Sequence, residues 1–477
     1  MSTTTYIKPE QISRQSRAGL AGNSAPEVTA LNADVKRVGI ATLGCKVNTF
    51  ESELIAQALQ TDQWVSVPHS EYADLYVVNT CTVTREADRQ ARQTVRKLVK
   101  QNPDALVIVT GCYAQMDPEA CAAIPGVDLV LGNDQKLDVH RLLPQLEQGA
   151  LPKVMVGDLD QHVSLPTELL THFEAQTRAF VQIQQGCDQG CTFCIIHVAR
   201  GPSRSLLPTL IKRQIQRLVL AGYAEVVICG VDLGSYGEDL AANGQTVNLV
   251  DLLKEILALE VEANNPFRIR LSSIDPAHIT DDLIELMASE PRLCPHIHLS
   301  LQSGDTLILK RMKRRYDANV VRTVIHKLRS KVPHLVMSAD VMVGFPTETA
   351  EQFEATWELI KELDIAYPHV FSYSERDGTP AARIPASKQV PVAERKERNR
   401  LIRERAVSLQ ERLLQASVGR DVWVLPENSE PVTGMRSAKA EDSLPVLIPL
   451  EQSQHGVWQK VRLSAVSNGK MIAQSIT

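Results

Sequence analysis

Aromatic residues are scarce: Phe, Trp and Tyr together make up 4% of the 477 residues, so no aromatic-rich binding surface is expected. A positive balance is missing too. The formal net charge of −5 argues against a protein that coats nucleic acid through bulk charge and leaves room only for a local basic patch. No apolar run reaches membrane-spanning length and no signal peptide is recognisable, so a membrane is excluded and a cytoplasmic place is expected. In that reducing setting the nine cysteines read as metal ligands rather than disulfides. What is present is ordinary for a soluble globular chain, 44% hydrophobic and 22% charged, at a length that suits two to four domains.

The densest chemical signal is Gly186–Cys194, GCDQGCTFC, in which Cys187, Cys191 and Cys194 form a C-x-x-x-C-x-x-C array after a strand-like run, AFVQIQ. Three thiolates so close together suit an iron–sulfur cluster or zinc. With three ligands rather than four, a cubane keeps one iron open to a small molecule. The competing readings are a zinc knuckle with a distant fourth ligand, or three core cysteines packing as small hydrophobes. No second C-x-x-C and no H-x-x-x-H supplies the other half of a zinc site.

Along the chain, residues 1–35 lack periodicity and read as a disordered extension. From 36 to 147 strand and helix alternate, and three strands end on cysteine: RVGIATLGC at Cys45, ADLYVVNTC at Cys81 and ALVIVTGC at Cys112. Continuous apolar runs are those of buried parallel strands. Ligands of open α/β sheets sit outside the carboxyl ends of their strands, so these three cysteines should converge and could hold a second cluster. Cys121 lacks that placement and reads as core. Residues 148–175 read as a linker. Between 176 and 405, six strand-like runs (179–184, 225–230, 268–273, 296–301, 338–344 and 369–374) alternate with helices, which predicts an open partial barrel of six strand–helix units. Cys229 and Cys294 within it read as structural. A charged helix over 391–416 leads into a tail of short strands, so 406–477 should be a small β-barrel. KRMKRR (Lys310–Arg315) and the helix from Arg395 to Arg412 are candidate phosphate-contacting patches, although such runs usually form solvated faces.

GCDQGCTFC resembles the defining motif of the radical S-adenosylmethionine (SAM) superfamily. With GCKVNTFESE, NTCTVTREADRQARQ, VTGCYAQ, RLSSIDP, HLSLQSG, DVMVGFPTET and SYSERDGTPAA, the chain from about 36 onward is similar to the methylthiotransferases. GCKVN and TCTVT most resemble the branch that modifies N6-threonylcarbamoyladenosine in tRNA. The resemblance implies an N-terminal open α/β domain, a partial (β/α)6 radical-SAM barrel and a C-terminal RNA-binding barrel of the TRAM kind. It implies two 4Fe–4S clusters, one on Cys187/Cys191/Cys194 and one on Cys45/Cys81/Cys112, with the first chelating SAM to make a 5′-deoxyadenosyl radical and the second holding the sulfur to be transferred. Gly230, Gln302 and Asp340 are the implied SAM contacts. In one place the sequence departs from the family: IIHVARG carries His197 where proline is usual.

The implied reaction converts C2 of the threonylcarbamoyl-modified adenosine next to the anticodon to its methylthio form, using two SAM. The implied partners are a tRNA anticodon stem-loop, a reductant protein of flavodoxin or ferredoxin type and a sulfur donor, with no DNA. The alternatives are isopentenyladenosine in tRNA or a ribosomal-protein aspartate as substrate, or a non-catalytic iron–sulfur protein that binds RNA.

Overall fold

The computed structural model describes residues 35–476 except 160–164, 166, 174–175, 245, 262–265 and 428–433. The expected N-terminal extension lies outside the described residues, apart from Val35. Among the described residues no helix is long and apolar enough to cross a membrane.

The first sheet contains β1 (Lys36–Thr42), β2 (Trp64–Val67), β3 (Leu75–Thr80), β4 (Leu106–Gly111), β5 (Leu129–Leu131) and β6 (Val154–Met155). Their order is β2-β1-β3-β4-β5-β6, and every pairing is parallel. All six residues of β3 are buried because helices cover both faces of the sheet. Helix α1 (Lys46–Leu59) starts five residues before the expected 51–60 segment, immediately after Cys45, because Val47 and Phe50 already belong to its buried face. Helix α2 (Arg85–Gln101) is capped by the Thr84 side chain and buries Ala91, Val95 and Leu98 at helical spacing. Three shorter helices follow: α3 (Cys112–Met116), α4 (Pro118–Ala122) and α5 (Val139–Glu147). Strand β6 lies within the stretch expected to be a linker, where it pairs with β5 and extends the sheet.

The central segment holds β7 (Ala179–Gln182), β8 (Gln184–Gln185), α6 (Ile196–Arg200), β9 (Arg204–Ser205), α7 (Pro208–Leu220), β10 (Glu225–Cys229), α8 (Leu249–Leu257), β11 (Arg268–Leu271), β12 (Ser273–Ile274), α9 (Asp281–Ser289), β13 (His296–Gln302), α10 (Thr306–Arg311), α11 (Ala318–Lys331), β14 (Val336–Val343), α12 (Ala350–Glu362) and β15 (Tyr367–Ser372). All six expected strand runs are present, and the pairings β7–β10–β11 and β12–β13–β14–β15 are parallel. The third run breaks at Ser272, which divides the wall into a three-stranded and a four-stranded sheet. Residues facing outward, among them Ala339 and Val341, join the main core under the helices, while histidines, glutamines and serines of the same strands face the lumen. Capping boxes at Asn248/Asp251 and Thr349/Gln352 start α8 and α12.

Helix α13 (Val392–Ala416) leads to a closed five-stranded barrel in the order β16-β17-β18-β20-β19, from β16 (Asp421–Pro426), β17 (Met435–Ala440), β18 (Pro445–Pro449), β19 (Gln459–Ser467) and β20 (Lys470–Ser475). Buried Trp458 docks it on the central segment by donating Nε1–H to Ala224 O (2.8 Å), with the Arg268 guanidinium 4.9 Å from its ring centre.

Candidate active site around two cysteine triads

Cys45, Cys81 and Cys112 stand at the carboxyl ends of β1, β3 and β4. The order β2-β1-β3 makes the β1/β3 junction the switch point of the sheet, the place where open α/β sheets hold ligands. A Cβ on Gly44, whose φ is +105°, would lie 3.0 Å from Cys81 Sγ, so glycine permits the close approach of the two loops. Asn48 ties them together by donating Nδ2–H to Leu43 O (2.6 Å) and Thr80 O (3.1 Å). Cys112 is buried, Cys81 is half-buried and Cys45 is exposed, which gives the triad one open side. Burial, then the Cys112 and Cys45 sulfurs, push the Cys81 thiol up to about 12.

Cys187, Cys191 and Cys194 line a cavity of about 180 Å³ with Asp232, Asp275, Gln302 and Arg314. Gly186 (φ +72°) makes the first turn of this loop; a side chain there would meet Pro202 O at 1.9 Å. Donors converge on the sulfurs: Gln189 N on Cys187 (3.5 Å), Ile196 N on Cys194 (3.4 Å) and Arg314 Nη1 on Cys191 (3.2 Å). Such donors stabilise thiolate over thiol, and three sulfurs on one cavity wall fit a 4Fe–4S cluster that keeps an open position toward the cavity. His197 is the second residue of α6, a first-turn position at which the missing N–H of proline would also be tolerated.

Helix α6 joins the two triads. It starts beside Cys194 and ends on Arg200, whose guanidinium enters the N-terminal domain and donates Nε–H to Cys112 Sγ (3.2 Å). Arg200 is 2% exposed. It forks onto Glu51 (2.9 and 3.1 Å), reaches Gln185 Oε1 (2.6 Å) and also donates to Asn48 Oδ1. Lys136 Nζ holds the other side of Glu51 at 2.6 Å and donates to Asn133 Oδ1 at 2.9 Å. Burial raises the Glu51 carboxyl, but Arg200 and Lys136 outweigh it and hold the group at about 2.

Two family models match the chain: the uncharacterised protein family UPF0004 over residues 37–132 and the radical SAM superfamily over 181–360. The chain is 43% identical to the threonylcarbamoyladenosine tRNA methylthiotransferase MtaB of Rickettsia prowazekii over 82% of its own length and 88% of the relative's. It is 40% identical to the Bacillus subtilis MtaB over 73% and 75%. The chain belongs to the MtaB family of tRNA methylthiotransferases. A tRNA-2-methylthio-N(6)-dimethylallyladenosine synthase of Staphylococcus saprophyticus is more distant, at 31% identity over 81% of this chain and 75% of that protein. The fold is also that of the radical SAM methyltransferase TsrM of Kitasatospora setae, at a TM-score of 0.53 and 14% identity over 73% of this chain and 77% of that one. As an MtaB-family radical-SAM enzyme, the protein takes SAM and 4Fe–4S iron as cofactors.

Within this MtaB-family chain, the predicted residues do not all share one place. Gln302 lines the triad cavity and has a φ of +61° at the irregular end of β13. Gly230 is beside it; its Cα backs onto Gln184, whose Oε1 accepts from Val231 N and Asp232 N (2.9 and 2.8 Å), and those two residues form the cavity wall. Asp340 is not on that wall. Its Oδ1 is 3.1 Å from His298 Nε2 and 3.9 Å from His369 Nδ1, deeper in the lumen. Cys121, Cys229 and Cys294 are buried, as expected of structural cysteines. The charged runs come apart. Arg314 of KRMKRR turns inward to Asp275 and Cys191. On α13, Arg395 and Arg398 are buried on Glu375 and Glu348, and Arg400, Arg405 and Arg412 pair with Glu404, Glu354 and Asp364, which leaves Lys396 and Arg403 without an ion pair among the described residues. Sequence reasoning missed Asp232, Asp275, Arg200, Glu51 and Lys136. For Arg200 a signal existed, since it is the Arg of the IIHVARG string that follows the triad.

Proposed function

We propose that the protein methylthiolates C2 of N6-threonylcarbamoyladenosine beside the anticodon of tRNA. The observation that carries the reading is the pairing of two three-cysteine sites through α6 in a chain with MtaB-named relatives. Cys187, Cys191 and Cys194 would ligate the cluster at the triad cavity, and Cys45, Cys81 and Cys112 the auxiliary one. Bound there, the clusters supply the electron that cleaves SAM and the position that carries the transferred sulfur.

The chain's own residues bind, orient and exclude water. Gln302, the Gly230 turn and Arg314 border the place where SAM would sit. Gln189 spans Asp232 (3.1 Å) and Asp275 (3.5 Å) and fixes the floor of the cavity. Arg200 sets the auxiliary triad against the first. Asp340 would act from the lumen side rather than on the cluster. Two SAM would be consumed, one as methyl donor and one as radical source, and the reading also calls for a reductant of flavodoxin or ferredoxin type and a sulfur donor. The C-terminal barrel would hold the stem-loop while the adenosine is unstacked toward the triads. A tRNA substrate implies work in the cytoplasm.

The test is anaerobic reconstitution with iron and sulfide, then dithionite, SAM and a stem-loop carrying the threonylcarbamoyl base. Wild type should form 5′-deoxyadenosine and the methylthio nucleoside, and the Cys187/Cys191/Cys194→Ala variant neither. Absence of 5′-deoxyadenosine from a wild-type protein that holds its iron would refute the radical step. Methylthiolation of a dimethylallyl-modified loop in preference would overturn the substrate.

A further inference from the structure

A second cavity, of about 400 Å³, lies in the lumen between Lys46 at the start of α1, the inner faces of the strands, and Lys439 and Ser443 of the C-terminal barrel. Its volume is that of a small-molecule site, and its walls set charged and imidazole groups among apolar residues such as Phe180, Val227 and Leu271. His296 and His298 are more than nine-tenths buried. Both bond Ser338 Oγ, His296 through Nε2 at 3.1 Å and His298 through Nδ1 at 2.8 Å, which turns His296 Nδ1 away without a partner. Arg178 donates Nη1–H to Glu427 (2.6 Å) and forms an ion pair with Glu225 at 2.9 Å from Nε without a hydrogen bond, while its buried Nη2 has no acceptor.

The charges of this lumen do not cancel. Arg178 and Arg270 are met by Glu225 and Glu427. Asp340 is shared by His298 and His369. Lys46 and Lys439 have no ion pair among the described residues. Two ammonium groups without an ion pair outnumber the one carboxylate, Asp340, that faces only imidazoles, and with an orphaned guanidinium N–H and an orphaned imidazole nitrogen around one cavity they are complementary to an anion with further polar atoms. A dimethylallyl group offers neither. A threonylcarbamoyl group offers a carboxylate, a hydroxyl and a urea.

Resting on the substrate reading above, we propose that this cavity is the subsite for the acidic N6 side chain of the modified adenosine, its carboxylate received by Lys46, Lys439 and Arg178 Nη2. The lysines are therefore specificity-determining, and a site that hydrogen-bonds a polar substituent rejects an analogue without it because its own groups are left unpaired.

The test uses the reconstituted full chain and three anticodon stem-loops that differ at one base: threonylcarbamoyladenosine, its carboxyl methyl ester and unmodified adenosine. Wild type should bind the acid about tenfold more tightly than the ester. Lys439→Gln and Lys46→Gln should each lower affinity for the acid about tenfold, with the ester and unmodified loops changed less than about twofold. Lys439→Arg should restore the preference, and unchanged melting temperatures verify the fold. Equal weakening for all three loops would make the lysines phosphate contacts and overturn the subsite, as would a variant that keeps the acid-over-ester ratio. A wild type that methylthiolates the acid loop yet binds acid and ester alike overturns the subsite alone. A wild type that neither prefers nor modifies the acid loop overturns the substrate reading and the subsite with it.

Discussion

Replacing Glu51 by Gln should destabilise the protein more than replacing Arg200 by Met, although Arg200 makes the larger number of hydrogen bonds. After Arg200→Met, Glu51 and Lys136 still neutralise each other at 2.6 Å, and what is lost is the fork onto Glu51 and the bonds to Gln185, Asn48 and Cys112. After Glu51→Gln, two buried cations face each other with no counter-charge. Breaking a buried ion pair from one side costs about 3–5 kcal/mol. Arg200→Met therefore belongs near 3, and Glu51→Gln at or above about 5 kcal/mol unless Lys136 gives up its proton. Burial already lowers the Lys136 ammonium, and loss of Glu51 would lower it further, so the Glu51→Gln variant should recover stability as pH rises toward the ordinary lysine range. Urea unfolding of the full-length apoprotein, followed by circular dichroism, reads the order. Arg405→Met, which breaks a half-exposed pair with Glu354, is the control, with about 0–1 kcal/mol expected. Equal costs for all three variants, or a smaller cost for Glu51→Gln than for Arg200→Met, would refute the account of this cluster as a charge-balanced core.

The same pairings should set the acid limit. Glu51 and Glu225 are both raised by burial and lowered further by their cations, to about 2 against 4.5, so the stability each contributes is complete above about pH 4.5 and is lost as pH falls toward 2; Glu225→Gln should flatten part of that acid transition. Ile196→Pro removes the amide donated to Cys194 Sγ at 3.4 Å, so the reconstituted cluster should show a reduction potential lower by on the order of tens of millivolts in EPR-monitored titration, with α6 intact because proline is favoured at the first helical position. An unchanged potential would show that this amide does not act on the sulfur. Trp458→Ala deletes the bond to Ala224 O and the Arg268 stacking, at about 3–5 kcal/mol, so limited proteolysis should cut between α13 and β16 in the variant and not in wild type.

Both triads were legible because their signals are local. Three cysteines within eight residues, and a cysteine after each of three apolar runs, need no tertiary information beyond the rule that ligands gather at carboxyl strand ends. The alternation of runs and helices likewise gave the parallel sheets, since period and length are properties of each segment. What stayed hidden depends on pairing over long separations. Glu51, Lys136 and Arg200 come from three elements, and nothing in local charge spacing or helix periodicity says that a helix glutamate will meet a cation 149 residues on. Arg314 was masked for the opposite reason: it stands in a basic run whose neighbours are exposed, and only the backbone turn at Lys313, φ +60°, sends it inward. Strand β6 has two residues, too short for any alternation to appear.

Helix α6 also limits how the two sites can work together. Five residues at about 1.5 Å each span about 7.5 Å, and both ends are fixed, one by the Ile196 amide on Cys194 and the other by the Arg200 fork on Glu51 and Cys112. The separation of the triads is therefore a property of the folded core and not of a hinge. A fixed separation means that the substrate must be delivered to a preset gap, so alignment has to come from whatever grips the base and its side chain from the open directions. Those directions are bordered by Lys46, which adjoins Cys45, and by Lys439 of the C-terminal barrel. Docking of that barrel, through Trp458 and the Arg270 bonds to Ala440, Glu441 and Ser443, is then part of assembling the site, because it carries Lys439 to the lumen. A barrel that bound RNA but was undocked would capture the stem-loop without aligning its adenosine. On this reasoning Trp458→Ala should reduce methylthiolation more steeply than it reduces binding of unmodified stem-loop.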